Sequence, residues 1–205
     1  MLRNLFTGPE KPFGEPNESI LDLLETGATA FRLAELSIRP VSGRFDYAHM
    51  KAIHRHLFQD VYEWASRERT APTQGPMTKA GHRYYSAGPG LTAAAQAEFT
   101  RLERRNYLRR LTRDRFISEL AEVWGELNVV HSFREGNTRT QLVFFAQLSQ
   151  RAGYFLVSRL FTIGSPLRER FVHARFYGQD TGDHRLLGTV LEDVIFVSPP
   201  ETTQR

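Results

Sequence analysis

The chain contains no cysteine. Disulfide frameworks, cysteine-ligated zinc and a thiol nucleophile are thereby excluded. No apolar run approaches the roughly 20 residues needed to span a bilayer. The opening stretch, MLRNLFTGPEKPFGEP, carries no secretory hydrophobic segment. Internal repeats, low-complexity tracts and long linkers are also missing. Lysine is scarce: of the 27 basic residues only Lys11, Lys51 and Lys79 are lysines, leaving 24 arginines. What is present is globular. The 205 residues are 40% hydrophobic and 24% charged, enough for one domain with a sizeable core. A cytoplasmic protein that does not enter membranes is expected, with secretion into a host cell left open. The formal charge is +4. Arginine keeps its charge and forks onto phosphates and carboxylates, so a phosphate-bearing ligand, nucleic acid and an acidic protein partner all fit the composition.

Hydrophobic periodicity predicts a mainly helical chain. Residues 1–17, rich in Pro and Gly, read as an irregular arm. A helix is expected over 18–36, broken by Pro40 and Gly43. A second, capped by Asp46, runs over 46–66, where Met50, Ile53, Leu57, Val61 and Trp64 mark one buried face. Residues 67–90 carry seven Pro and Gly and read as a long loop or loose hairpin, with Tyr84 and Tyr85 on its return strand. Helices follow over 91–109, from Thr112 or Asp114 to about 130, and from about 137 to 151, the last stopped by Gly153. Ser165–Pro166 opens a helix of about ten residues, and Asp183 opens a final one to about 196. Residues 18–197 form one domain, and 198–205 a tail.

The chemistry concentrates in Leu127–Gln141, where two apolar helices meet through His131-Ser132-Phe133-Arg134-Glu135-Gly136-Asn137-Thr138-Arg139. His131 ends a helix, where the macrodipole favours its protonated form, and histidine is suited to proton transfer near neutral pH. Glu135 is a hard oxygen ligand for a magnesium ion held largely by phosphates. Gly136 and Asn137 can turn successive backbone N–H groups into one concavity at the start of the next helix, an anion site. Arg139 lies on that helix's first turn. Phe133 is expected to point into the core and pin the loop. Any one of these residues fits an ordinary corner with solvated charge. Together they describe a nucleotide phosphate site with a base beside it.

The string resembles the signature of the Fic (filamentation induced by cAMP) family, His-x-Phe-x-Asp/Glu-Gly-Asn-Gly-Arg-x-x-Arg. Gly43-Arg44-Phe45-Asp46 and Ile53–Ala65 resemble the family's helix before its flap, and the likeness covers roughly residues 40–157. It implies a helical bundle with a β-hairpin flap, here 67–90. It implies His131 as the general base for a Ser, Thr or Tyr hydroxyl of a target protein. Glu135 would hold Mg²⁺; Gly136, Asn137, Thr138 and Arg139 would bind the phosphates of ATP. The implied activity is protein adenylyl transfer, leaving AMP on the target, in a toxin- or effector-like protein. The flap would hold the target by main-chain pairing. Lys79 resembles the flap's lysine-glycine step, with the glycine displaced by one residue.

Two positions depart from the signature. Thr138 replaces its second glycine, adding a Cβ to the anion nest. Doc-type relatives carry lysine there and are implied to transfer the γ-phosphate from an inverted nucleotide, so a phosphotransferase is the alternative reading. Leu142 replaces the final arginine. Losing one charge-assisted phosphate contact costs on the order of 1.5–3 kcal/mol, which leaves a non-catalytic binding domain as a third reading. The family's inhibitory motif, Ser/Thr-x-x-x-Glu-Gly/Asn, is not complete: Ser165–Glu169 and Ser118–Glu122 have its spacing only. A chain without internal inhibition, or one held by a separate antitoxin protein, is expected. Elsewhere, His54 and His56 are read as structural. The arginines of 101–115 are read as a solvated, salt-bridged face rather than a nucleic-acid surface, and Tyr177 and Asp180 as residues following a helix near the adenine.

Overall fold

The computed structural model describes residues 3–162 and 164–197; the expected tail over 198–205 lies outside them. Asn17 starts the first helix, α1 (Glu18–Ile38), its side-chain oxygen accepting the N–H of Ile20. Asp46 starts α2 (Tyr47–Phe58) in the same way, through the N–H of His49. This helix is shorter than its apolar period predicts. After Phe58 the N–H groups of Val61 and Tyr62 both return to the Phe58 carbonyl. Nδ1 of His54 accepts the N–H of Ser66, and the Val61 carbonyl is taken by Leu5 of the N-terminal arm. These turns keep Val61, Tyr62 and Ala65 buried, so the apolar spacing outlasts the helix.

The flap is a small antiparallel hairpin, β1 (Met77–Lys79) and β2 (His82–Tyr84), with Met77 opposite Tyr84. Ala80 and Gly81 both take positive φ at its turn, the primed geometry that suits a two-residue hairpin. Helix α3 (Pro89–Arg104) stops earlier than expected, because Asn106, Tyr107 and Leu108 take positive φ. Helices α4 (Arg113–Val130) and α5 (Asn137–Ala152) follow, and Gly153, at φ 94°, ends the second. Helix α6 (Pro166–Thr181) has 16 residues rather than about ten, and Gly182 ends it in the left-handed conformation. Helix α7 (Arg185–Glu192) ends before the expected position 196. The chain there enters β4 (Ile195–Val197), which pairs antiparallel with β3 (Tyr154–Leu156). Three-residue strands are too short to register a period of two in a sequence.

Helix α4 is the central element and packs against α3, α5, α6 and α7. Its Phe116, Leu120, Val123 and Trp124 are fully enclosed, each such side chain contributing about 1.5–3 kcal/mol. Trp124 stacks on Phe145 at 4.5 Å, meets Phe171 edge-on, and donates its indole N–H to Gln141. The imidazole of His184 is wedged between Gly125 of α4 and Gly178 of α6; a Cβ at either position would collide with the ring. This close approach fixes α6 against the end of α4 that carries the site. The arginines of 101–115 are largely spent on structure. Arg101 pairs with Glu98, Arg105 with Glu119 and Glu122, and Arg115 with Glu119, while Arg113 caps the carbonyls of Glu192 and Ile195.

Candidate active site

The turn between α4 and α5 is locked from within. Asn137 accepts the N–H of Phe133 and donates its own amide to the Phe133 carbonyl, at 2.9 and 2.6 Å. Its side chain is thus a clasp, and only its backbone remains for an anion. Phe133 is fully buried, as its alternation with polar neighbours predicts, and stacks on His54 at 3.9 Å. His54 donates through Nε2 to the Glu135 carbonyl, so α2 supports the turn from below. Burial pushes this imidazole down to about 4, and it is neutral. Gly136 takes φ 77°, and a Cβ there would run into the Phe58 ring. Only glycine satisfies both constraints.

His131 itself takes the left-handed conformation, φ 49°, as the C-cap of α4, its N–H returning to Leu127. Arg69, which nothing in the sequence singled out, holds it there. Its Nε donates to the His131 carbonyl at 2.8 Å, its backbone N–H to Ser132, and Nη2 to the Tyr85 carbonyl leaving the flap. One buried guanidinium thereby closes the end of α4, where carbonyls lack helical partners. The His131 ring is nearly enclosed and tilts against Tyr84 of the flap. Burial, with the cations Lys79, Arg175 and Arg69 nearby, pushes its pKa down to about 3. The helix dipole was expected to favour the protonated ring. Desolvation and three positive charges outweigh it, and the imidazole stands neutral, as a proton acceptor must.

Lys79, His131, Glu135, Gly136, Asn137, Thr138 and Arg139 line one groove of about 770 Å³, walled on one side by α1. The structure brings every one of these sequence-selected residues to a single cavity. Tyr177 and Asp180 do not belong to it. They lie within α6 rather than after it, and Asp180 meets His82 of the flap at 3.0 Å.

Three partners were not legible beforehand. Glu25 of α1 binds Arg139 through Oε1 and the Tyr62 hydroxyl through Oε2. A glutamate outside the signature thus reaches the site from α1, without the inhibitory motif around it. Thr29, one turn further along α1, accepts from Nη1 of Arg139. Arg175 of α6, buried over the Phe171 ring, donates to the Thr138 hydroxyl at 3.1 Å and to Asn128 at 2.6 Å.

Among the described residues no group of three or more His, Asp or Glu could hold a metal unaided. Glu135 nevertheless suits magnesium. It is a half-exposed carboxylate whose Oε1 accepts the Gly136 N–H, which anchors it at the mouth of the nest. One such carboxylate is the usual protein share where phosphates supply the remaining ligands.

A neutral imidazole beside a backbone nest, an arginine and a single hard carboxylate stand together on a helical scaffold, an arrangement of the class that suits nucleotide phosphates. The family within that class is settled by comparison. The chain belongs to the Fic/DOC family, whose model matches residues 44–149. It is 37% identical over 145 residues to the protein adenylyltransferase VbhT of Bartonella schoenbuchensis, covering 70% of this chain and 29% of that protein. It is 39% identical over 115 residues to the probable protein adenylyltransferase y4lH of Sinorhizobium fredii, covering 56% of this chain and 57% of the relative. The chain thus spans less than two thirds of these relatives. The fold matches the ADP-bound N-terminal Fic domain of a putative cell filamentation protein from Bartonella quintana, with a TM-score of 0.79, 27% identity, and coverage of 90% and 88%.

Proposed function

We propose that the chain is a protein adenylyltransferase that moves AMP from ATP to a hydroxyl side chain of a target protein. The observation that carries this reading is the neutral His131 beside the nest of Gly136, Asn137 and Thr138. The target oxygen attacks the α-phosphorus while its proton passes to the imidazole. The bond from that phosphorus to the β-phosphate bridging oxygen breaks, and pyrophosphate leaves with the electron pair. Backbone N–H groups at the start of α5 and Arg139 hold the phosphates. Glu135 would hold Mg²⁺, which supplies charge neutralisation across the phosphates. His131 gains basicity when phosphates offset the surrounding cations.

The flap suits the target. β2 is fastened to α6: His82 stacks on Phe176 at 3.8 Å, and Gln179 donates to the Arg83 carbonyl. Among the described residues β1 pairs with β2 alone, so its outer edge is open to an extended peptide. Lys79 closes β1 at the groove. A separate protein regulator, antitoxin-like, would find an apolar face on α1, where Ile20, Leu23, Phe31 and Ile38 are exposed. No helix among the described residues is long and apolar enough to cross a membrane.

Thr138 favours one second reading, phosphoryl transfer from an inverted nucleotide. Labelling separates the two. The protein, Mg²⁺ and a bacterial lysate are incubated with ATP labelled at the α- or the γ-phosphate, beside His131→Ala. Label from the α-position alone, lost in the variant, is expected. His131-dependent label from the γ-position alone would establish the phosphotransferase, and ATP binding with no label would leave a binding domain.

A further inference from the structure

The groove has a leucine, Leu142, one turn beyond Arg139 on α5, where the resembled signature carries its final arginine. The structure puts an arginine on the same groove from another helix. Arg168, in the first turn of α6, lines the cavity together with Leu142, Thr138 and Phe161. Its backbone N–H is taken by the capping Ser165 hydroxyl, at 3.2 Å. Its guanidinium lies over the edge of Phe171, 6.0 Å from the ring centre, and is half-buried. Among the described residues no carboxylate stands within ion-pair distance of it.

Arg175, two turns further along the same face of α6, covers the same phenyl ring at 5.0 Å. Among the described residues it too has no carboxylate within ion-pair distance, and it donates to the neutral Thr138 and Asn128. Burial lowers the pKa of both guanidinium groups, that of Arg175 to about 10, and their mutual repulsion adds to the effect on Arg175. The acids lining the groove, Glu15, Glu18, Asp22, Glu25 and Glu135, lie on other elements, with Glu25 engaged by Arg139 and Glu15 by Lys11. The α6 wall therefore holds two desolvated cations that, among the described residues, have no carboxylate within ion-pair distance. Such an arrangement is unfavourable by itself and becomes favourable when a multiply charged anion enters.

We infer that Arg168 is a second phosphate-binding cation of the nucleotide groove, contacting the phosphates beyond the one seated at the Gly136 nest and supplying from α6 the charge that Leu142 lacks. Arg175 is a positioning residue. By donating to the Thr138 oxygen it leaves the threonine's own hydrogen to point at a phosphate, which turns the extra side chain of the nest into a donor. This inference rests on the nucleotide reading of the groove.

The test is calorimetric titration of the full chain with Mg·ATP and with AMP, for the wild type, Arg168→Gln, and Arg168→Gln combined with Leu142→Arg. Arg168→Gln is expected to weaken ATP roughly tenfold to a hundredfold while leaving AMP within about twofold. Leu142→Arg is expected to restore much of the lost ATP affinity in the double variant. Unchanged ATP affinity in Arg168→Gln overturns the assignment. Equal loss of ATP and AMP, without rescue by Leu142→Arg, also overturns it and marks Arg168 as a packing residue. A wild type that binds neither nucleotide removes the nucleotide reading itself, and this inference with it.

Discussion

Glu25 of the first helix holds Arg139, in the first turn of α5, across 114 residues of sequence. The carboxylate is nearly buried and is itself fixed by the Tyr62 hydroxyl. Arg139 is also 3.8 Å from Glu135. Its charge is therefore partly spent before any phosphate arrives. Glu25→Gln keeps one acceptor oxygen, for Arg139, turns its other end into an amide donor toward the Tyr62 hydroxyl, and removes the negative charge. It is expected to raise ATP affinity severalfold, measured by calorimetry, and to lower stability by about 1 kcal/mol. Weaker ATP binding in the variant would show instead that the ion pair serves to orient the arginine.

In the proposed reaction His131 sets the pH response. A base acts only when deprotonated, so activity is lost as pH falls through its pKa. With that pKa near 3 in the free protein, kcat/KM is expected to stay flat on the acid side of neutrality. The limb for kcat should lie at higher pH, because bound phosphates stabilise the imidazolium. Lys79→Ala removes one of the charges that depress the ring and should move the kcat/KM limb upward. A limb for kcat/KM centred between about pH 6 and 7 in the wild type would mean that His131 is solvated and not in this buried state.

The turn 131–139 was readable because each of its parts is local. A helix end, a glycine and a helix start follow one another in sequence, and helix geometry places them together. The hairpin flap and most helices were legible for the same reason. The long-range partners were not. Arg69, Glu25 and Arg175 reach the site from three other elements, and nothing in their neighbours distinguishes them from other charged residues. Glu25 carries no part of the inhibitory motif around it: Leu21, not Ser or Thr, stands four positions before it, and Thr26 follows it. The overlong prediction for α2 has a different cause: turns after Phe58 preserve an apolar spacing that a helix would also give.

Gly136 carries two constraints at once, a positive φ and contact with Phe58. Gly136→Ala must either push the phenyl ring out of the core or pull the backbone of the nest away. A loss of roughly 2 kcal/mol or more in unfolding free energy is expected, from strain and overpacking together. The variant should also fail to bind ATP at concentrations that saturate the wild type. Adding Phe58→Leu makes room for the methyl group and should recover part of the stability but not the binding. Recovery of both would show that φ at this residue is not what shapes the nest.

Two buried histidines make stability depend on pH in a direction that can be derived. His54 and His131 are pushed down to about 4 and about 3 by burial, against an ordinary 6.5. Between the ordinary and the folded values the unfolded chain binds more protons than the folded one. Stability is therefore fully present above about pH 6.5 and is lost as pH falls toward 4 and then 3. His54 makes the loss structural: protonating Nδ1 destroys its bond from the Ser66 N–H and charges a ring stacked on Phe133. Denaturant unfolding between pH 7.5 and 4.5 is expected to show little change above about pH 6.5 and then a fall, on the order of 2–3 kcal/mol from each histidine and about 5 in all by pH 4.5. His54→Asn should be less stable at neutral pH, because the packing is lost, yet show a shallower dependence on pH. An equally steep dependence in that variant would assign the acid sensitivity to other groups.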